Sequence, residues 1–196
     1  MAIENHDTQP IEDGYGAAFH RTYTIRVPLA IDASRAALRT LMADLNHCAP
    51  RLLARFEKLS GSATQLAPGD EFQIHITGPW NGPVRVSKVT ENAFQLITLH
   101  DHMEAGRIDF RILPDPDGEH SFFQIESLAR SRDRVVDFVY DKLPIAKVAQ
   151  TLMWTAFCEN FAKGATATTG EGATDVGEVT IRTERRDEAT GRWEDA

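Results

Sequence analysis

Three polar side chains that can carry chemistry stand at alternate positions just before an apolar strand pattern: His100, His102 and Glu104. A carboxylate and an imidazole can act as general base and general acid, and an apolar surrounding raises the pKa of a carboxyl group towards neutrality. Two imidazoles and one carboxylate can also bind zinc or iron. A third interpretation is a solvated hairpin tip, in which Glu104 forms a salt bridge with Arg130 or Arg132.

The spacing of these residues argues against a metal site, because alternate strand positions interrupted by a turn make a poor rigid chelate. The sequence also has no glycine-rich phosphate loop, no nucleotide-binding fingerprint and no nucleophile elbow with a Ser/His/Asp order. We therefore expect neither a metal nor a cofactor, and nucleophilic catalysis has no support.

Strand periodicity predicts which of the three side chains face inwards. Ile108 and Phe110 alternate with charged residues, so they must face the apolar side of the sheet. Extending this alternation backwards puts Glu104 at the edge of the inner face, and His102 beside it if the strand begins early enough. His100 falls in the preceding turn.

The elements that would position these residues follow from changes in hydrophobic period. Alternation over 19–27 predicts a strand, and the spacing of Leu38, Leu41 and Leu45 predicts an amphipathic helix, which a short helical turn at 51–55 follows. Six further strand patterns are separated by short turns; they lie near 56–60, 70–77, 83–90, 93–99, 104–113 and 119–129.

The helical period then returns for one long C-terminal helix. It runs from Asp133 to Gly164, kinks or begins afresh at Pro144, and carries an apolar stripe that includes Phe138 and Leu152. An antiparallel sheet with one apolar face needs a cover, and only this helix is large enough to supply it. The sequence thus predicts an α+β fold, in which a seven-stranded antiparallel sheet wraps around the long C-terminal helix and two short helices follow the first strand.

The meander also predicts where the loops meet. Successive turns alternate between the two ends of the sheet, so the loops at 78–82 and 100–103 and the exit at 130–132 fall at one end, where the long helix starts. The candidate residues should therefore lie beside the positive end of the helix dipole.

This order of elements over residues 19–164 resembles the START-like helix-grip fold of plant pollen allergens, lipid-transfer domains and bacterial polyketide cyclases. A short motif is similar to the signature of the domain-of-unknown-function family numbered nineteen-ninety, within the same START-like (SRPBCC) superfamily. The motif consists of Gly78, Pro79 and Trp80, the run from Pro83 to Val86, and Thr98, Leu99, His102, Glu104, Gly106 and Phe110. The resemblance implies an apolar cavity between the sheet and the helix. Arg107 departs from the family pattern, which tends to have Glu there, but parity places Arg107 on the outer face.

Composition bounds the remaining possibilities. The chain has 196 residues and is 42% hydrophobic, which fits a single domain with appendages. Its net charge of -8 resides in an acidic N-terminal segment, 1–18, and an acidic tail, 165–196, which is either a flexible tail or a small hairpin. The domain between them, 19–164, is formally neutral and offers no basic face, so we expect no nucleic-acid partner.

With no apolar N-terminal region and no stretch long enough to cross a bilayer, we expect a soluble, cytoplasmic protein.

Two functions remain open, together with an interaction module whose acidic tail contacts a partner protein. The first is binding of a small, largely apolar molecule between sheet and helix, with polar recognition by His102, Glu104 and Arg130. The residues expected to line that site are Trp80, Thr98, Ile108, Phe110, Phe138 and Leu152. The second is an acid/base enzyme of the cyclase, isomerase or hydrolase type, with Glu104 as base and His102 as acid or oxyanion donor. The oligomeric state is left open.

Overall fold

The computed structural model describes residues 7–62, 64–76, 81–134, 144–168, 176–186 and 190–196. Within these ranges the chain forms nine strands, two α-helices and two short 3-10 turns, Ile11–Asp13 and Leu45–His47. The strands are β1 (Tyr15–Val27), β2 (Ala54–Ser60), β3 (Glu71–Ile76), β4 (Gly82–Val89), β5 (Ala93–Thr98), β6 (Glu104–Pro114), β7 (Ser121–Ser131), β8 (Thr180–Arg186) and β9 (Trp193–Asp195). The helices are α1 (Ile31–Ala43) and α2 (Pro144–Thr168).

All nine strands belong to one antiparallel sheet in the order β2-β3-β4-β5-β6-β7-β1-β8-β9. The predicted number of seven strands is therefore wrong, because β8 and β9 come from the C-terminal segment. β8 pairs with β1, which would otherwise be the exposed edge of a seven-stranded sheet. The new edge, β9, is only three residues long, and a short edge strand offers little backbone for unwanted pairing.

The core lies between the inner face of the sheet and α2. Phe123 of β7 stacks on Phe161 of α2 with ring centroids 4.0 Å apart, and Phe157 packs against both Phe110 and Trp154. These aromatic contacts join the helix to the middle strands of the sheet, which agrees with the prediction that this helix covers the sheet.

One face of α2 differs from the predicted stripe. Val148 and Leu152 are each 55% exposed. The buried positions of the helix are 150, 153, 154, 157, 158, 161, 162, 165 and 166. Apolar residues occur all round the first turns of α2, so their periodicity does not identify the face that meets the sheet.

The C-terminal end of α2 and the position of the second short helix differ from the prediction. The described part of the long helix, α2, starts at Pro144, a residue that fits a first helical position because it loses no helical hydrogen bond there. Most of the predicted first part of this helix, 135–143, lies outside the described residues, so the choice between a kink and a new start at Pro144 stays a prediction. The helix continues past Gly164 to Thr168. The second short helix lies at Leu45–His47 as a 3-10 turn, and 51–53 form only a hydrogen-bonded turn before β2. No helix in the described part of the chain is long and apolar enough to cross a membrane.

Candidate functional site

The turn between β5 and β6 meets its neighbours at one end of the sheet, as the meander predicted. The backbone N–H of Arg132 donates to the carbonyl oxygen of Met103 at 2.9 Å, which joins the exit of β7 to this turn. Gly82, at the start of β4, lies directly against the ring of His102. The turn is therefore fixed from both sides, and the side chains that it carries have defined positions.

Glu104 is the first residue of β6 and lies on its inner face, as strand parity predicted. Gln150 of α2 donates from Nε2 to both carboxylate oxygens of Glu104, at 3.3 and 3.4 Å. Gln150 is itself buried among the apolar residues of the helix. The carboxylate thus lies at the junction between sheet and helix and accepts hydrogen bonds across it.

His102 is 7% exposed, and two contacts of its Nδ1 compete to set the tautomer. The backbone N–H of Glu104, which can only donate, lies 2.9 Å from Nδ1, and the carbonyl oxygen of Glu104, which can only accept, lies 3.1 Å from it. That carbonyl oxygen already accepts from Nε2 of Gln9 at 2.9 Å, whereas the N–H of Glu104 has Nδ1 as its acceptor, so we assign Nδ1 as the acceptor and place the ring proton on Nε2. Burial lowers the pKa of His102, although the nearby carboxylate of Glu104 acts in the opposite direction. His102 is therefore neutral at pH 7. Within the described ranges, its Nε2–H makes no hydrogen bond.

A cavity of about 50 Å³ lies between the sheet and α2 beside these two residues. Its lining is mostly apolar, and Glu104, with its hydrogen-bonded neighbours His102 and Gln150, forms a polar cluster in it. The other polar lining residues are Thr98, Arg107 and Ser127. A single water molecule needs about 10–15 Å³ by this measure, so the cavity has room for a few water molecules or a small chemical group. Of the predicted site residues, Thr98, His102, Glu104 and Ile108 line it.

Three other predicted site residues lie elsewhere. Phe110 is 1% exposed and stacks on Phe94 at 4.5 Å, so it belongs to the core beneath the cavity. Leu152 lies on the solvent side of α2. Arg130 is on the outer face of β7, since the buried residues of this strand are at the odd-numbered positions. Gly14 packs against it there, so closely that a Cβ added at Gly14 would lie 2.7 Å from the Cβ of Arg130. The predicted placement of Arg130 at the entrance is therefore not the one that the structure shows.

The two remaining predicted residues, Trp80 and Phe138, lie outside the described residues. His100 is exposed in the turn, as expected, and its backbone N–H donates to the carbonyl oxygen of Asp7. Within the described ranges, no three His, Cys, Asp or Glu side chains are grouped so that they could hold a metal ion.

The prediction missed several residues that line the cavity. Gln150 had a recognisable signal, since it is a polar residue at the spacing of the buried helix positions 153, 154 and 157. Trp154 both packs against Phe110 in the core and lines the cavity. Arg107 is exposed and lies 3.5 Å from Asp109, yet it also contributes to the lining. Arg107 belongs to the last pair between β5 and β6, where the two strands separate.

Comparison with known proteins identifies relatives of this architecture. A family model described as a domain of unknown function, DUF1990, matches residues 18–160. No curated protein gives a significant sequence match to the chain.

Several solved structures have a similar backbone. Norcoclaurine synthase from Thalictrum flavum, in complex with dopamine and hydroxybenzaldehyde, is 10% identical with a TM-score of 0.53, covering 81% of this chain and 91% of its own. The KanY protein is 12% identical with a TM-score of 0.55, covering 78% and 98%. StfQ, a di-domain ARO/CYC protein of the steffimycin biosynthetic pathway, is 12% identical with a TM-score of 0.55, covering 82% and 53%. At these identities the likeness shows the fold alone, which is the helix-grip fold.

Proposed function

This chain belongs to the family of domains of unknown function DUF1990, and we propose that it binds a small, largely apolar molecule whose polar head group enters the cavity beside Glu104. The observation that carries this proposal is the mostly apolar lining of the cavity, which includes the polar cluster of His102, Glu104 and Gln150. Apolar walls supply affinity through burial, and a few fixed polar groups select the head group.

The polar side favours a particular kind of head group. Glu104 presents carboxylate oxygens, which accept hydrogen bonds, and neutral His102 presents Nε2–H, which donates one. A hydroxyl or phenol group can satisfy both at once, whereas a carboxylate would meet the like charge of Glu104. Arg107 also lines the cavity, but its guanidinium lies 3.5 Å from the carboxylate of Asp109, which offsets its positive charge. We therefore infer an aromatic or aliphatic alcohol rather than an acid.

The neighbours support the proposal at the level of the fold. One norcoclaurine synthase structure holds dopamine and hydroxybenzaldehyde, which are small aromatic molecules with hydroxyl groups. Binding of such molecules is thus compatible with a helix-grip fold, and the residues of this chain that would take part are those described above.

Matched probes test the head-group preference. We would titrate the full chain with 4-ethylphenol, ethylbenzene and 4-ethylbenzoate, following backbone amide signals by NMR. The phenol should bind most tightly, and the benzoate should improve in Glu104→Gln because the repelling charge is gone. Glu119→Gln removes the same charge from the exposed turn between β6 and β7 and serves as the control. No binding of any probe, together with no small molecule in native mass spectra of the purified protein, would overturn the proposal.

An enzymatic role is the second candidate, because a carboxylate and a neutral N–H donor face the same cavity. Glu104 can take a proton from a carbon next to a carbonyl group, while Nε2–H of His102 stabilises the enolate oxygen that develops. The low pKa of His102 favours this role as hydrogen-bond donor over that of a charged acid. Such chemistry belongs to isomerases and cyclases.

Exchange of carbon-bound protons for deuterium tests this candidate without a known substrate. In D₂O the protein should accelerate the loss of the α-proton signals of 1-(4-hydroxyphenyl)propan-2-one, and Glu104→Gln should lose the acceleration while Glu119→Gln keeps it. A rate equal to that of buffer would leave binding as the function.

A further inference from the structure

Residues 7–9 fill the gap that opens between β5 and β6 at the candidate site. Pairing of these two strands ends where Ile97 pairs with Arg107. Beyond that point, the N–H of Gln9 donates to the carbonyl oxygen of Thr98 at 2.7 Å, and the N–H of Gly106 donates to the carbonyl oxygen of Gln9 at 3.0 Å. The segment 7–9, hereafter the strap, therefore continues the hydrogen bonding of the sheet between the two separated strands.

The side chain of Gln9 contacts the turn that carries the site. It is 3% exposed, and its Nε2 donates to the carbonyl oxygen of Glu104 at 2.9 Å and to that of His102 at 3.3 Å. One amide group thus satisfies two carbonyl oxygens in a buried region, where an unsatisfied carbonyl would be costly. Both carbonyls belong to residues whose side chains line the cavity.

Thr98 ties the strap to the same place. Its Oγ1 donates to the carbonyl oxygen of Gln9 at 2.8 Å and accepts from the N–H of Gly106 at 2.9 Å. Although Thr98 lines the cavity, its hydroxyl is engaged with the strap. The role indicated for Thr98 is accordingly to hold the strap, and not to bind the head group.

We propose that the strap positions the candidate site, with Gln9 as a positioning residue that fixes the tautomer of His102 and the direction of the Glu104 side chain. By holding the two carbonyls, Gln9 sets the backbone of the turn so that the Glu104 N–H is directed at Nδ1 of His102. The strap lies outside residues 18–160, which the family model matches, so family membership does not assign this role. The inference rests on the proposed function only where ligand affinity is measured.

The test uses a spectroscopic signal of His102 that needs no ligand. In ¹⁵N-labelled full-length protein, the imidazole nitrogen shifts report which ring nitrogen carries the proton, and the wild type should show the Nε2–H form above pH 7. Gln9→Glu has the same shape but replaces the donor with an acceptor that faces two carbonyl oxygens, and it should give mixed tautomers. Gln73→Glu makes the same change on the outer face of β3 and should match the wild type.

Gln9→Met keeps about the length and packing of the side chain and removes the amide group without adding a charge, so it decides the question if Gln9→Glu does not fold. Unchanged imidazole shifts in Gln9→Met would overturn the proposal. A shifted tautomer with 4-ethylphenol affinity about tenfold weaker would support it, since tenfold corresponds to about one hydrogen bond. If no probe binds the wild type, the proposed function fails, while the imidazole shifts still decide the role of Gln9.

Discussion

Glu104 donates its backbone N–H to Nδ1 of His102 across 2.9 Å, so the residue that supplies the carboxylate also sets the tautomer of its neighbour. This contact is possible because only Met103 separates the two residues, at a bend that follows the turn from Leu99 to His102, so the ring can fold back over the start of β6. It leaves Nε2–H as the ring donor of a residue that lines the cavity. The pair is therefore a carboxylate acceptor and a neutral donor, and not a carboxylate and an imidazolium.

Acid should destabilise the protein through His102. Burial lowers its pKa below the ordinary value of 6.5, so the folded state binds fewer protons than the unfolded state. The contribution of His102 to stability is complete above 6.5 and is lost as the pH falls through that value towards the lower folded pKa. Urea denaturation between about pH 5 and pH 8 should show a shallower pH dependence in His102→Asn.

His100→Asn provides the matched control, because His100 is exposed in the same turn. This control should keep the wild-type pH dependence. An equal slope for the wild type and His102→Asn would contradict the assignment of a lowered pKa to His102.

Gly82→Ala should disturb the candidate site. A Cβ at this position would lie 2.2 Å from Cδ2 of His102 and 2.8 Å from its Cα, so both the ring and the backbone of the turn would have to move. We expect a loss of about 1–3 kcal/mol in the free energy of unfolding, typical of overpacking. Gly177→Ala is the control, since its Cβ would meet nothing within 4 Å. Equal stability of the two variants in urea would show that the turn tolerates the change.

Phe157→Ala should be far more destabilising than Leu152→Ala, although both residues belong to α2. Phe157 is fully buried and contacts Phe110, Trp154 and Phe123, so its removal should cost about 3–5 kcal/mol. Leu152 is mostly exposed, and its loss should cost less than about 0.5 kcal/mol. Chemical denaturation measures both. Weaker 4-ethylphenol binding in Leu152→Ala would restore the original prediction that Leu152 lines the site.

His20→Leu should loosen β8 from the sheet. The ring of His20 lies between two carboxylates, with Nδ1 2.9 Å from Glu184 of β8 and Nε2 2.7 Å from Glu126 of β7. Losing these bonds, worth about 1 kcal/mol, should speed amide exchange in 180–186 roughly fivefold and leave β6 unchanged. His75→Leu removes an exposed histidine that contacts Glu57, and it should have no effect on β8. Unchanged exchange in β8 would mean that backbone pairing alone holds it.

Much of the sheet was predictable because strand alternation is a local property. Ile108, Phe110 and Glu104 share one parity, and the structure places all three on the inner face. The same rule applied to Phe123 and Ile125 already places Arg130 on the outer face, so its assignment to the entrance was avoidable.

Other features depend on contacts that no local pattern contains. Strand β8 has few apolar residues, and its sequence fits a docked hairpin or a disordered tail equally well; pairing with β1, far away in the chain, is what makes it a strand. The face of α2 was undetermined because apolar residues surround its first turns. Gln9 lies in a polar segment, and its contact with His102 and Glu104 spans more than ninety residues of sequence.

The sequence by itself determined the order of the first seven strands, the sheet covered by a long helix, and the inward direction of Glu104, because each follows from the period of apolar side chains along a short segment. Only the tertiary structure decided the tautomer of His102, the contact between Gln150 and Glu104, and the place of Gln9. Hydrogen bonds between buried groups depend on distances of a few tenths of an ångström between segments far apart in the chain. The sequence thus names the polar pair, and the packing of strand, helix and strap decides what that pair can donate and accept.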